Sequence, residues 1–499
     1  MDAPVIIVGG GPVGLALALA LARYDVRSIL LERALEPVRE SRAVVIWPRT
    51  QEILRDWNVY DAVRAAGNFV TTFRALNACT DATLLSVDFS AVDDVVDDPG
   101  VIVLPQNDTE TVLRRLVAAH PLCDMRLGAE VTALRPDARY VEVAYAQDGG
   151  ERTLRGAYVV GCDGAHGIVR HALGLSLEGM TYDSRIVLSD EVLADDLGED
   201  ALARVRIDQP GICAAIRFAP RTWRVIASVG KDEDPERALS EAAHRERLRM
   251  VFGDVATTTI WSSIFNIHRR HAQRFVVGRV ALAGDAAHLN SPAGGQGMNA
   301  GIQDAANLAW KLALTLRDGD RDPALFESYD VERREMVTDT IERYTDRLTR
   351  VALGFSPRTK QLAARTMWRA VRGRGMQRKL CRALGMLSGR YTKSPLVDAR
   401  HPLAGRRIDD LRLPDGTRIN HRRGGQAMLV VAGDFPLDLP HVRVPVAPKR
   451  WHVKLPVVLV VRPDGCVAAV VEKPTFEKIE AAWRRAFCGM LPLPVAAVR

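Results

Sequence analysis

The chain is 499 residues long and 47% apolar, more than one hydrophobic core accommodates, so two or three globular domains are expected. Its net charge is +7, but Lys and Arg are spread along the chain with no aromatic-rich motif between them, which argues against nucleic acid as a partner. Seven cysteines, an odd number with no CxxC pair, exclude a disulfide framework and a zinc site; no metal ligands are assigned, and free thiols suit a reducing compartment.

The first element is an all-apolar run at 5–8, as a central parallel strand requires. It leads straight into glycines rather than a cleavage site, and no apolar stretch is long enough to span a bilayer. A cytoplasmic protein with no stable membrane insertion is therefore expected. The glycines form Gly9-Gly10-Gly11-Pro12-Val13-Gly14, a GxGxxG, followed by a helix at 15–23 and a second strand at 27–31 ending in Glu32-Arg33. Gly9 permits the tight turn, Gly11 lets backbone approach a pyrophosphate, and Gly14 lets helix and strand pack closely. The helix N-terminus offers N–H groups to phosphate, and Glu32 can accept from ribose hydroxyls while repelling a 2′-phosphate. This register reads as a dinucleotide site; taken alone it does not separate FAD from NAD.

Ser41-Arg42-Ala43 follows, ahead of Pro48-Arg49-Thr50. A strand is read at 83–89, and Gln106 precedes a helix at 110–118. At 159–170 a strand runs into Cys162-Asp163-Gly164-Ala165-His166-Gly167 and then Val169-Arg170; DG between strand and helix is by itself a common turn. Residues 212–229 alternate as a strand pair about a turn at Pro220-Arg221. A short strand at 280–283 then meets Gly284-Asp285. A loop with Pro292, Gly294, Gly295 and Gly297 leads into a long amphipathic helix starting near Met298 or Asn299. Such glycines expose N–H groups beside a helix N-terminus, suiting an electron-rich acceptor such as the carbonyl edge of a flavin.

The segment at 278–312 resembles the second FAD motif of the flavoprotein aromatic hydroxylases of the para-hydroxybenzoate hydroxylase type. The resemblance implies that Asp285, after Gly284, holds the ribityl chain, and that Pro292, Gly295, Gly297, Met298 and Asn299 line the flavin ring. It assigns Asp163 and Gly164 to the family's DG fingerprint, with Gly167 where the family usually has Ser or Thr. Arg42 and Gln106 are similar to cofactor-contacting residues of the family. With Gly9, Gly11, Pro12, Val13, Gly14, Glu32 and Arg33, these make up the cofactor-binding set.

The expected fold is α/β: a Rossmann-like, glutathione reductase-type FAD domain (1–73, 100–175 and 275–345), an inserted β-rich substrate domain (74–99 and 176–274), a helical basic connector (346–399) and a C-terminal unit (400–499). Residues 343–393 hold fourteen Lys or Arg and one acid, Asp346, and read as a solvated face, with a dimer contact or an anion-steering surface as the alternatives. The C-terminal unit has apolar strands at 428–431 and 457–461, a turn at Arg462-Pro463-Asp464-Gly465 and a strand at 466–471. It resembles the thioredoxin-like domain of longer family members, without the CxxC of a redox-active one.

By the resemblance, NAD(P)H reduces bound FAD, and a flavin hydroperoxide formed with O2 hydroxylates an aromatic, phenolic or polyketide-like small molecule. Epoxidation or Baeyer–Villiger insertion on a non-phenolic or antibiotic substrate is the alternative, and a non-catalytic flavin binder the rival outside enzymes. The Trp-x-Trp-x-Ile-Pro motif of flavin halogenases is absent. Nothing singles out a catalytic base; Arg217, Arg224 and His268 are read as structural. The choice between NADH and NADPH stays open.

Overall fold

The computed structural model describes residues 3–37, 42–198, 202–208, 211–319, 323–354, 356, 358–360, 362 and 371–494; Ser41 of the Ser-Arg-Ala motif and much of the basic stretch at 355–370 lie outside the described residues.

β1 (Ala3–Val8) is apolar along its length because both of its faces are covered. α1 (Pro12–Arg23) comes next, then β2 (Ser28–Glu32), α2 (Gln106–Ala119), β3 (Cys123–Leu127), β4 (Gly150–Gly161) and β5 (Val280–Leu282). The five strands form one parallel sheet in the order β5-β4-β1-β2-β3. The antiparallel strands Glu130–Pro136 and Val141–Gln147 extend from the first half of β4. Register sets where the motif loops emerge. Val8 pairs with both Leu31 and Gly161, and Gly161 with Leu282. The glycine turn, Glu32, Cys162-Asp163 and Gly284-Asp285 therefore leave the sheet at one carboxyl edge, where α/β sheets bind ligands.

A second sheet of eight strands lies beside the first. Its order is His288–Leu289, Thr257–Ala272, Leu177–Leu193, Thr222–Gly230, Cys213–Ala219, Ala203–Val205, Thr72–Asn77, Thr83–Asp88. The pair expected at 212–229 is present, and Arg221 takes a left-handed φ of 58° in its turn. The C-terminal sheet runs His441–Val444, Met428–Ala432, Val457–Val461, Val467–Glu472, with the first two parallel and the rest antiparallel, and is followed by the helix Phe476–Ala486.

The helix read as amphipathic departs from expectation. α3 (Gly297–Arg317) is buried on every side from Met298 to Thr315. Its polar stripe is paired instead of solvated. Asp304 accepts from Arg333 Nε at 2.6 Å, Lys311 Nζ donates to Glu332 at 2.8 Å, and Asn307 Nδ2 donates to Glu332 at 2.7 Å and Asp464 at 3.2 Å. Glu332 and Arg333 belong to α4 (Ala324–Glu335). Arg462 and Asp464, in the expected turn, form a buried docking element; Arg462 bonds both oxygens of Glu332 at 2.5 and 2.9 Å. Burial pushes the Lys311 ammonium down to about 8 against the opposing pull of Glu332, while the Arg462 and Lys311 charges hold Glu332 well below the usual carboxylate range. Breaking one partner in so dry a network costs about 3–5 kcal/mol, so the C-terminal unit is welded to the parallel-sheet unit.

The basic stretch is also less bare than its charge suggests. α5 (Arg343–Gly354) and the helix Arg374–Leu384 carry Arg350, Arg378 and Arg382, which pair with Asp346, Asp94 and Asp409. Among the described residues no helix is long and apolar enough to cross a membrane.

Candidate functional site: a cleft between two uncapped helix N-termini

Gly9 has a φ of 104°, and a Cβ there would lie 2.5 Å from the Cys162 carbonyl oxygen, so the glycine turn and the DG segment touch. A Cβ on Gly14 would lie 2.0 Å from the Gly9 carbonyl oxygen, which is why the helix can start so close to its strand. A Cβ on Gly11 would meet nothing within 4 Å: this glycine faces open space. Pro12 opens α1 and no side chain caps it. Its first-turn N–H groups and the positive end of the helix are left for a ligand. Glu32 is fixed at the edge of that space, Oε2 accepting from Gly10 N at 2.5 Å and Oε1 from Ala34 N at 2.7 Å. Each oxygen keeps a lone pair for a hydroxyl donor. Arg33 beside it is exposed.

The other wall is built from residues nearly three hundred positions away. Gly284 has a φ of 61° and donates its N–H to Asp304 Oδ2 at 3.0 Å. Asp285 next to it is open to solvent yet walled by protein, and its carboxylate has no hydrogen-bond partner among the described residues. Burial raises its pKa, against the opposing charges of His288 and Arg42. The loop then turns at Pro292, whose carbonyl accepts from Gly295 N at 2.9 Å, through left-handed Gly294 and Gly295. No side chain caps α3, and a Cβ on Gly297 would meet nothing within 4 Å. Met298 is buried beneath. The Asn299 side chain is fully committed to protein: Oδ1 accepts from Trp47 N at 2.9 Å, and Nδ2 donates to the carbonyls of Val45 at 2.8 Å and Gly295 at 2.9 Å. It holds the loop rather than reaching into the cleft.

Val13 joins the two walls. It is the second residue of α1, and hypothetical Cβ atoms on Gly284 and on Gly301 in α3 would lie 2.8 and 2.4 Å from its Cγ2. The first turns of α1 and α3 therefore adjoin.

Between them lies the DG segment. Asp163 Oδ2 accepts from Val169 N at 2.9 Å, while its Oδ1 is buried without a partner. Gly164 is left-handed and open. Gly167, the departure from the family pattern, has a local reason: a Cβ there would lie 2.1 Å from Asp163 Oδ1. Arg170 ties the segment to the second wall through the Ala286 carbonyl at 3.2 Å.

Gln106 begins α2 and exchanges hydrogen bonds with Ala43, donating its N–H at 3.0 Å. Adjacent Arg42 is exposed, with its guanidinium 5.3 Å from the Phe265 ring centroid and its charge felt at Asp285. His268 is near enough to Arg42 and His166 for their charges to be felt; burial first, then Arg270, lowers its pKa. Arg217 is spent on the Gly198 and Ala219 carbonyls, and Arg224 is fully buried against Asp190 at 2.8 Å through two nitrogens. Two functional residues escape a reading of the sequence. Trp47, whose Nε1 donates to the Gly294 carbonyl at 3.0 Å, has no local signal. Asp304 has one: with Asn307 and Lys311 it forms a polar stripe at helical spacing that the ions of α4 complement.

Two uncapped glycine-rich helix N-termini, an unpartnered carboxylate and a fixed Glu at one end fit an extended ligand of the flavin adenine dinucleotide type. No group of His, Cys, Asp and Glu among the described residues could hold a metal. This defines a Rossmann-type flavin site. A family model described as FAD binding domain matches residues 2–344, and the chain belongs to that family. It is 32% identical over 433 residues to rifampicin monooxygenase of Streptomyces venezuelae, covering 85% of this chain and 86% of that protein. It is 33% identical over 430 residues to 12-dehydrotetracycline 5-monooxygenase/anhydrotetracycline 6-monooxygenase of Streptomyces rimosus, with 83% and 82% covered. The solved structure of OxyS anhydrotetracycline hydroxylase from Streptomyces rimosus matches with a TM-score of 0.78 at 30% identity, over 98% of this chain and 99% of that one. The protein is an FAD-dependent monooxygenase.

Proposed function

We propose that the enzyme hydroxylates an aromatic, phenolic or polyketide-like small molecule, with NAD(P)H as reductant and O2 as oxygen source. The observation that carries this reading is an apolar sheet face against the flavin end of the cleft. Ile186, Leu188 and Ile267 form it, with half-buried Tyr182, Ile226 and Phe265 packed on them. Phe265 adjoins Arg42, and Tyr182 donates to Asp346 on α5 at 2.5 Å. α5 closes over the loop, with Tyr344 and Leu348 reaching to 3.5 and 3.4 Å from a Cβ built on Gly294. Aromatic side chains beside a glycine loop, at the boundary of two sheets where pockets form, suit a flat apolar ring. We accordingly assign 74–99 and 176–274 as the substrate domain.

Bound FAD, once reduced by NAD(P)H, supplies the activation of dioxygen. The chain's own residues position it. In this reading the N-terminus of α1 takes the diphosphate, Glu32 the ribose hydroxyls and Asp285 the ribityl hydroxyls, while the backbone of Gly295 to Asn299 presents positive potential to the flavin's carbonyl edge. Arg42 and Gln106 border the cofactor. The sheet face and α5 exclude water.

The C-terminal unit is read as thioredoxin-like and structural; its parallel pair, antiparallel pair and closing helix support this. Seven cysteines with no disulfide between them suit a reducing, cytoplasmic setting, and a homodimer is a candidate assembly.

Purified protein offered NADH or NADPH and a panel of phenols and polycyclic aromatics tests the reading. Substrate-stimulated reductant oxidation with a product heavier by one oxygen is expected; stimulation that yields only hydrogen peroxide across the panel overturns it.

A further inference from the structure

We propose that Asp304, in the interior of α3, is a positioning residue that aims Asp285 at the flavin end of the cofactor. Asp304 is 0% exposed and cannot touch a ligand. Its Oδ2 accepts from the Gly284 N–H at 3.0 Å and lies 2.7 Å from His288 Nε2. Residues 284 and 288 bracket the short helical turn Gly284–Ala286 that carries Asp285, so one carboxylate grips both ends of that turn. The other oxygen, Oδ1, accepts from Arg333 Nε at 2.6 Å and is thereby fixed from behind.

The electrostatics agree with this geometry. Arg333 and His288 hold Asp304 below the usual carboxylate range against its burial. It stays charged, and a charged acceptor makes the stronger hydrogen bond to the Gly284 N–H. Asp285, by contrast, has no hydrogen-bond partner of its own among the described residues, so its direction is set by the turn alone. Left-handed Gly284 is the hinge, and Asp304 is the clamp on it. Arg333 also donates to the Tyr391 hydroxyl at 3.3 Å, which fixes its guanidinium.

The inference rests on the reading of Asp285 as the ribityl ligand, and the experiment separates the two. Full-length D285N, D304N, H288F and K311M are compared by FAD dissociation constant, by visible circular dichroism of bound flavin and by thermal melting. H288F opens one end of the clamp without stranding Arg333 and keeps a ring against Phe275, so it remains informative if D304N folds poorly. K311M cuts an ion pair two turns along the same helix and leaves Gly284 alone. Expected are a roughly tenfold or greater loss of FAD affinity and a changed flavin dichroism in D304N and H288F, with K311M within about twofold of the parent. Equal losses in K311M, or parental affinity and dichroism in H288F alongside weak binding by D285N, overturn the role of Asp304. Parental affinity in D285N instead overturns the reading of Asp285.

Discussion

Val13 stands against Gly301: a Cβ added at Gly301 would lie 2.4 Å from Val13 Cγ2 and 3.2 Å from the Gly284 Cα. One side chain of the first cofactor motif is thus packed between two glycines of the second. An alanine in a helix interior gains about 1 kcal/mol over glycine, whereas overpacking a dense contact costs about 1–3 kcal/mol. The clash wins, because the atom it meets is a stiff β-branched methyl rather than a flexible tip. Gly301→Ala should therefore lower the melting temperature and weaken FAD binding. Val13→Ala should recover part of both losses in the double variant. Melting and FAD titration of the four-member cycle check this, and strict additivity would refute the contact.

Gly167 makes a similar argument at the DG segment. The family's usual Ser or Thr would bring a Cβ within 2.1 Å of Asp163 Oδ1 and push the carboxylate off the Val169 N–H. Loss of such a cap costs about 1 kcal/mol. Gly167→Ser and Gly167→Ala should destabilise alike, since the added carbon and not the hydroxyl is at fault. Chemical denaturation of both variants decides. An alanine variant as stable as the parent would refute the steric reading.

What the sequence makes legible is what local chemistry encodes. Gly9 and Gly284 sit in turns whose backbone demands glycine, Gly14 stands where a Cβ would strike the Gly9 carbonyl, and Glu32 and Asp285 end strands at readable spacing. Other parts depend on residues far apart in sequence. Trp47 finds Gly294 across 247 residues and Arg462 finds Glu332 across 130, and no periodicity in either segment announces its partner. α3 departs from its pattern for the same reason: its Asp304, Asn307 and Lys311 stripe looks solvated until α4 and the Arg462 turn cover it with opposite charge. Asn299 shows the limit of motif transfer. The motif gives its position in the loop, but its side chain holds Trp47, Val45 and Gly295 together.

Asp410 gives a pH-dependent test of the docked C-terminal unit. It is 1% exposed, and burial, then neighbouring Glu52, push its carboxyl up to about 6 from 3.8. The folded chain keeps a proton that the unfolded chain releases from about pH 4 upward. Its contribution to stability is therefore present below pH 3.8 and lost as pH rises through 6. The difference amounts to about 3 kcal/mol at neutral pH. Asp410→Asn keeps an acceptor for the Asn420 N–H, now at 2.7 Å, and removes the charge. It should raise the melting temperature at pH 7.5 and leave it nearly unchanged at pH 4. An equal shift at the two pH values would mean that titration of Asp410 is not the cause.

Trp47 separates holding the cofactor from using it. Its indole N–H bridges the Gly294 and Gly295 carbonyls at 3.0 and 3.2 Å, and its ring packs 6.1 Å from Phe89. Trp47→Phe keeps an aromatic ring in place and deletes the donor. The two carbonyls are half-exposed and can turn to water, so the stability cost should be only about 1 kcal/mol. Asn299→Ala removes three hydrogen bonds from a fully buried site and should cost considerably more. In Trp47→Phe the diphosphate end of the site is untouched, so FAD affinity should hold within about twofold of the parent, well under the 1.4 kcal/mol that a tenfold change represents. The loop beside the flavin ring would loosen, and positioning errors of that kind fall on the chemical step rather than on cofactor retention. The ratio of oxygenated product to NAD(P)H consumed should therefore drop several-fold at saturating FAD. A variant that keeps the parental ratio would show that the loop is set by Asn299 without help from Trp47.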